Sequence, residues 1–161
     1  MIAFLGIGTN LGDRELILKE AVSRIGENIG SVIRSSSVYI TEPWGFQTNN
    51  EFLNMVVKIE TEFIPSELIE KILMIESLLG RVRSERQYSS RIIDIDILLY
   101  GDLIIDEKNL KIPHPLMHKR KFVLVPLSEI DAELVHPVLK KSIGSLLDDC
   151  EDKSQIRKYS L

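Results

Sequence analysis

The chain has 161 residues, a length that suits one domain. It is 44% hydrophobic and 27% charged, enough apolar material for a full core and close to the soluble globular average. Its net charge of -4 excludes a strong overall attraction to nucleic acid, although a local basic cluster could still hold a small anion.

The single cysteine, Cys150, has no partner for an internal disulfide, which points to a reducing compartment. The opening Met1-Ile2-Ala3-Phe4-Leu5 has neither the basic region nor the apolar run of a signal peptide. No stretch approaches the ~20 apolar residues of a membrane span. Together these features predict a cytoplasmic protein of one domain, 1–161, with no membrane partner.

Residues 2–7 are short and apolar, which predicts a strand. Residues 13–27 follow helical spacing, with Asp13 as N-cap and Gly26 and Gly30 marking the end. Gly6 to Gly12 fits neither the dinucleotide nor the Walker spacing, so it reads as a tight turn with Asn10 bonding locally. Residues 32–40 read as one strand, and 41–50 as a loop rich in turn formers that holds the only tryptophan, Trp44. In 52–61 the alternation is clean: Leu53, Met55, Val57 and Ile59 share one face, and Phe52, Asn54, Val56 and Lys58 the other.

Pro65 sits where a helix can begin, and Leu68, Ile69, Ile72, Leu73 and Leu79 form its apolar stripe before Gly80. Residues 81–91 are polar and arginine-rich, 92–100 a strand, Gly101-Asp102 a turn, and 103–105 a short returning partner strand. Helices are expected at 119–130 and 142–149. The order strand, helix, strand, strand, helix, strand predicts an α+β ferredoxin-like sandwich, an antiparallel sheet with helices packed on one face.

The strongest chemical signal is Arg91-Ile92-Ile93-Asp94-Ile95-Asp96-Ile97-Leu98-Leu99. Residues two apart on a strand face the same way, so Asp94 and Asp96 project together, roughly 6–7 Å apart. Ile93, Ile95, Ile97 and Leu99 should then face the core. Two neighbouring carboxylates repel unless a cation joins them, and hard oxygen ligands suit magnesium. Spacing alone fits solvent-facing acids on an amphipathic strand equally well.

Arg81, Arg83, Arg86 and Arg91 weight the reading toward a site, because guanidinium forks match phosphate oxygens. A polar loop of this length beside an acid pair also suits a mobile lid. Phe52 and Asn54, with Trp44 nearby, could stack on and hydrogen-bond a flat heterocycle, although aromatic side chains are more often core. His114, between Pro113 and Pro115, has a restricted backbone and could touch a phosphate.

Taken in order, these residues resemble the 6-hydroxymethyl-7,8-dihydropterin pyrophosphokinase family of folate biosynthesis. The resemblance runs through Leu5–Arg14, Tyr39–Gly45, Phe52-Leu53-Asn54, Glu76, Gly80–Arg83, Arg91–Leu98, Ile112–Pro115, Arg120, Phe122–Leu124 and Pro126-Leu127. It implies a ferredoxin-like fold and transfer of the β,γ-pyrophosphate of ATP to the pterin's hydroxymethyl group, with release of AMP. It implies two Mg2+ ions on Asp94 and Asp96. Phe52 and Phe122 would sandwich the pterin, and Asn54 and Thr41 would read its edge with backbone help near Pro43 and Trp44. Glu76, Ile97, His114 and Arg120 would meet the nucleotide. Arg81 and Arg91 would hold phosphates in the reacting geometry, and Arg83 would belong to the lid.

The sequence departs from the family just before Arg91. Gln87-Tyr88-Ser89-Ser90 stands where a basic residue, a tryptophan, a glycine and a proline are usual, and Phe52 stands where tyrosine is frequent. Two other classes fit the element order: a ferredoxin-like module binding RNA or a regulatory ligand, and an enzyme transferring a single phosphoryl group. Net charge, the acid pair and the lack of a basic aromatic sheet face count against RNA. No dimer seam is evident, so a monomer is expected.

Overall fold

A computed structural model describes residues 1–42, 50–80 and 92–161. Their first elements are β1 (Ile2–Thr9), α1 (Arg14–Asn28), β2 (Ser31–Ser35), β3 (Val38–Thr41), β4 (Phe52–Glu60), α2 (Pro65–Leu78) and β5 (Asp94–Tyr100). A small hairpin follows, β6 (Ile105–Glu107) with β7 (Leu110–Ile112), then α3 (Lys121–Asp131), α4 (Ile143–Asp148) and β8 (Ile156–Tyr159). The main sheet runs β5-β1-β4-β3-β8, with β2 also on β4, and every pairing is antiparallel. Through β5 this is the expected ferredoxin-like order. The chain then returns to add β8 beside β3.

Local chemistry accounts for the element ends. Asp13 caps α1 by accepting the Leu16 N–H at 3.2 Å, as expected from sequence. The helix runs through Gly26 and stops only before Gly30. Gly30 is fixed by space: a Cβ there would lie 2.2 Å from the Glu60 carbonyl oxygen. Gly30→Ala therefore forces the backbone apart and should cost about 2–3 kcal/mol. Thermal unfolding should show a Tm lowered by roughly 4–12 °C; an unchanged Tm would refute the close approach.

The helices cover both faces of the sheet, not one. Leu18, Ala21 and Ile25 of α1 and Leu68, Ile72 and Ile75 of α2 pack with Leu5, Ile7, Leu53, Val57 and Ile95 on the first face. Leu124, Leu127 and Ile130 of α3 and Ile143 and Leu146 of α4 pack on Phe4, Val56 and Leu98 on the second. β4 keeps its predicted alternation, so its odd residues feed the first core and Val56 the second.

Several expectations change. The strand expected over 32–40 is broken at Ser36 and Ser37. Ser36 turns its backbone and side chain to β4, donating its N–H to Val56 O and accepting the Val56 N–H at Oγ, both at 2.9 Å. The register to β4 slips across this break: Ser35 pairs with Val57, whereas Tyr39 pairs with Asn54. β5 also carries an extra residue, since Leu5 opposes Ile97 and Phe4 opposes Leu99. Alternation fails there, and Leu98 and Leu99 both enter the second core. Residues 103–105 do not return along β5; Leu103 and Ile104 are exposed, and only Ile105 begins the separate hairpin. β8 had no signal strong enough to predict, because only four residues, two of them charged, form it.

Candidate active site

Directly opposed residues in an antiparallel sheet share a face. One cross-strand row therefore contains Asp94, Gly8, Asn54 and Tyr39, from β5, β1, β4 and β3. The neighbouring row contains Asp96, Gly6 and Val56. Phe52 and Thr41 oppose each other on the same face. Strands lie about 4.8 Å apart, so the backbones of Asp94 and Asn54 are separated by roughly 10 Å with only glycine between them.

That glycine floor opens a cleft. Asp94, Asp96, Gly6 and Gly8 line one side, and Thr41, Phe52 and Asn54 another. Arg120 and Phe122, before and at the start of α3, close it from the second helical layer. Gly6 to Gly12 is thus not one tight turn: Gly6 and Gly8 lie within β1. A Cβ on Gly8 would lie 2.6 Å from Asn54 Oδ1 and 3.9 Å from a Phe52 ring carbon. Sequence reasoning passed over Gly8, although glycine inside an apolar strand signals close approach. Asn10 bonds across the chain, donating from Nδ2 to Asn50 O at 3.5 Å.

The polar groups are held before any ligand arrives. Asn54 Nδ2 donates to Thr41 Oγ1 at 2.7 Å, and both residues are buried. This bond turns Asn54 Oδ1 toward Gly8, as the short distance to the Cβ position there requires. A buried acceptor beside an aromatic ring suits a flat heterocycle with N–H donors. Thr9 ties the end of β1 to the residue before Ile93 by donating from Oγ1 to Ile92 O.

His114 is fixed by its backbone, whose N–H reaches Leu98 O at 2.9 Å, and by Nδ1, which accepts the Leu116 N–H at 3.1 Å. Nε2 lies 3.8 Å from Asp96 Oδ2. Burial, then the Arg120 charge, push the imidazole pKa down to about 4 against the pull of Asp94. The ring is neutral at pH 7, so the Asp96 contact is no ion pair, and Nε2 carries the proton as a donor into the acidic side of the cleft. The Ile112–Pro113 peptide is cis. The Arg120 guanidinium lies 5.6 Å from the Phe122 ring centre.

Glu76 and Ile97 stand elsewhere. Glu76 is 3% exposed, on the α2 side of the sheet, where Oε1 accepts the Ile95 N–H at 2.8 Å. The Ile97 side chain belongs to the first core, which leaves its backbone to meet a ligand. Pro43, Trp44, Arg81, Arg83, Arg91 and the Gln87–Ser90 departure lie outside the described residues. Asp94 and Asp96 offer a hard-oxygen pair, and no group of three or more His, Cys, Asp or Glu gathers around a metal position among the described residues. A carboxylate pair needing further oxygens fits magnesium shared with phosphates. Among the described residues no helix is long and apolar enough to cross a membrane.

Comparison with known proteins places this cleft in context. A protein named 2-amino-4-hydroxy-6-hydroxymethyldihydropteridine pyrophosphokinase from Aquifex aeolicus is 40% identical over 140 residues, covering 87% of this chain and 86% of its own. One of the same name from Methylorubrum extorquens is 44% identical over 134 residues, covering 83% and 84%. Among solved structures, the HPPK-DHPS of Plasmodium falciparum with pterin and p-hydroxybenzoate superposes with a TM-score of 0.74 at 22% identity. It covers 92% of this chain, and this chain spans 41% of it; at that identity it speaks for the fold alone. The family model for 7,8-dihydro-6-hydroxymethylpterin-pyrophosphokinase matches residues 4–132, from β1 through the end of α3 and so across every cleft-lining element. By that match and by the identity to its relatives, the chain belongs to the 7,8-dihydro-6-hydroxymethylpterin-pyrophosphokinase family.

Proposed function

We propose that this chain, as one domain over 1–161, transfers pyrophosphate from ATP to the hydroxymethyl group of 6-hydroxymethyl-7,8-dihydropterin and releases AMP, a step of folate biosynthesis. The observation that carries the reading is the two neighbouring cross-strand rows, which put an acid pair and a heterocycle-reading amide in one cleft across a glycine floor. The enzyme works as a cytoplasmic monomer on two small substrates, with no nucleic-acid or membrane partner.

The pterin lies between Phe52 and Phe122, with Asn54 Oδ1 taking ring N–H donors and Thr41 holding that amide in place. Pro43 and Trp44 supply the rest of its edge. The hydroxymethyl group then points toward Asp94 and Asp96. These two carboxylates would hold two Mg2+ ions with the triphosphate; when bound, the ions neutralise phosphate charge and make the pterin hydroxyl easier to deprotonate. Arg120 and the Nε2 proton of neutral His114 face the same region and donate to nucleotide oxygens. Arg81 and Arg91 hold phosphates, and Arg83 covers them. Glu76 supports β5 from behind, and Ile97 meets the nucleotide through its backbone. Little covalent chemistry falls to the protein; alignment of the pterin oxygen with the β-phosphorus is its main task.

The test mixes protein, Mg2+, ATP and the hydroxymethyl dihydropterin and identifies the nucleotide released. AMP, formed only with the pterin present, is expected. ADP would favour single phosphoryl transfer, and no turnover would favour a binding module. Chelating the metal with excess EDTA should stop AMP release, and added Mg2+ should restore it. Turnover unaffected by the chelator would sink the metal assignment.

A further inference from the structure

The break at Ser36-Ser37 frees backbone and side-chain groups that the cleft itself does not use. The Ser37 N–H and Oγ–H both donate to Glu129 Oε1 at 2.8 Å. Tyr39 O–H donates to the other oxygen of the same carboxylate. Glu129 thus joins α3 to β3 through three donors from two residues. Burial pushes its pKa up, but the Tyr39 and Ser37 hydrogen bonds and the Lys158 charge outweigh that and hold it below the usual range. Burial and the neighbouring carboxylate raise the Tyr39 phenol to about 12. Carboxylate acceptor and phenol donor are therefore the forms present at neutral pH.

The positions of the joined residues matter. Tyr39 stands in the row of Asp94, Gly8 and Asn54, which continues to Lys158 on β8, and Thr41 lies two residues further along β3. Glu129 follows Phe122 by seven residues, two helical turns, so both lie on nearly the same side of α3, roughly 10 Å apart along its axis. Other ties hold the helix: Arg34 donates from Nη1 to Ile130 O at 2.9 Å, and Lys121 donates its N–H to Asp152 Oδ2 at 3.0 Å. The Glu129 contacts bind α3 to the strand that carries Thr41. Rotation or tilt of α3 would move Phe122 relative to Phe52 and Asn54, and these contacts resist it.

We propose that Glu129 is a positioning residue for the pterin half of the site, acting through Ser37 and Tyr39 to set the distance between Phe122 and the sheet. The proposal rests on the pterin reading above. It predicts an effect weighted toward the pterin: Asp94, Asp96 and His114 hang on β5 and the segment after it, away from this junction, and of the described nucleotide-facing groups only Arg120 stands at the head of α3.

The experiment measures the affinity of the full chain for the dihydropterin and for a non-hydrolysable ATP analogue by calorimetry, with steady-state kinetics and Tm alongside. Variants are Glu129→Ala, Glu129→Gln and Tyr39→Phe. Glu129→Ala should raise Kd and KM for the pterin about tenfold while leaving kcat and analogue affinity within about twofold. Tyr39→Phe, which deletes one hydroxyl, should raise pterin Kd about threefold and keeps the test alive if the alanine variant does not fold. Glu129→Gln retains an acceptor for Ser37 and should recover most of the wild-type affinity. Unchanged pterin affinity in both the alanine and phenylalanine variants would overturn the proposal, as would equal loss of both ligands with a fall in Tm. Failure of the wild type to bind pterin would instead overturn the functional reading on which the proposal stands.

Discussion

Asp94→Ala and Asp96→Ala should each lower kcat by at least about a thousandfold, some 4 kcal/mol of transition-state stabilisation, with no loss of Tm. The asymmetry follows from where the acids stand. They share a face of β5 beside Gly8 and Gly6 and line the cleft, outside both apolar cores. Removing one leaves no cavity among packed side chains and relieves repulsion between like charges. Its loss is felt when a triphosphate and its cations must be held. Asp94→Asn and Asp96→Asn should behave alike, since an amide keeps the shape but lacks the charge. Kinetics with a thermal melt of each variant check this; a variant within tenfold of the wild-type rate would remove that residue from metal binding.

Gly8→Ala should weaken pterin binding by about a hundredfold and leave affinity for an ATP analogue nearly unchanged. The added methyl would sit 2.6 Å from Asn54 Oδ1, closer than any carbon to oxygen contact allows. Asn54 must swing away, yet its amide is buried and bonded to Thr41 at 2.7 Å. Either the bond to Thr41 breaks or the acceptor leaves its position, and both cost the pterin a partner. The same methyl would also rise into the gap between the acid pair and the amide. Calorimetry on each ligand separates the two sites. Combining Gly8→Ala with Asn54→Ala removes the clash, so the pair should fall well short of additive; full additivity would show that Gly8 acts by some other route.

The fold was legible where the chain repeats one simple pattern. The alternation of Leu53 to Ile59, the stripe of α2 and the Asp13 cap gave elements close to those observed. The acid pair was equally plain, because period two puts Asp94 and Asp96 on one face whatever the tertiary structure. Legibility ended where one residue too many enters a ladder. The bulge at Leu98 and the break at Ser36 and Ser37 shift register, and no local propensity announces a shift that a partner strand imposes. The second helical layer was likewise hidden. Its helices were foreseen, but a period cannot say which sheet face receives them. Gly8 had a readable signal in its strand position; the resemblance to phosphate-binding loops drew attention from it. Glu129 had none, since one acid on a helix gains meaning only from Ser37 and Tyr39, about ninety residues earlier in the chain.

The buried carboxylate of Glu76 has a bearing on how the molecules keep apart in solution. β5 ends the sheet, with β1 as its sole neighbour among the described strands. Such a margin is an invitation to a strand from another chain, and accretion of copies begins there. The Ile95 N–H, turned away from β1, is already taken by Glu76 near the start of β5. An approaching strand finds that donor spent. The strand bearing the two acids is thereby kept from serving as a template for self-association.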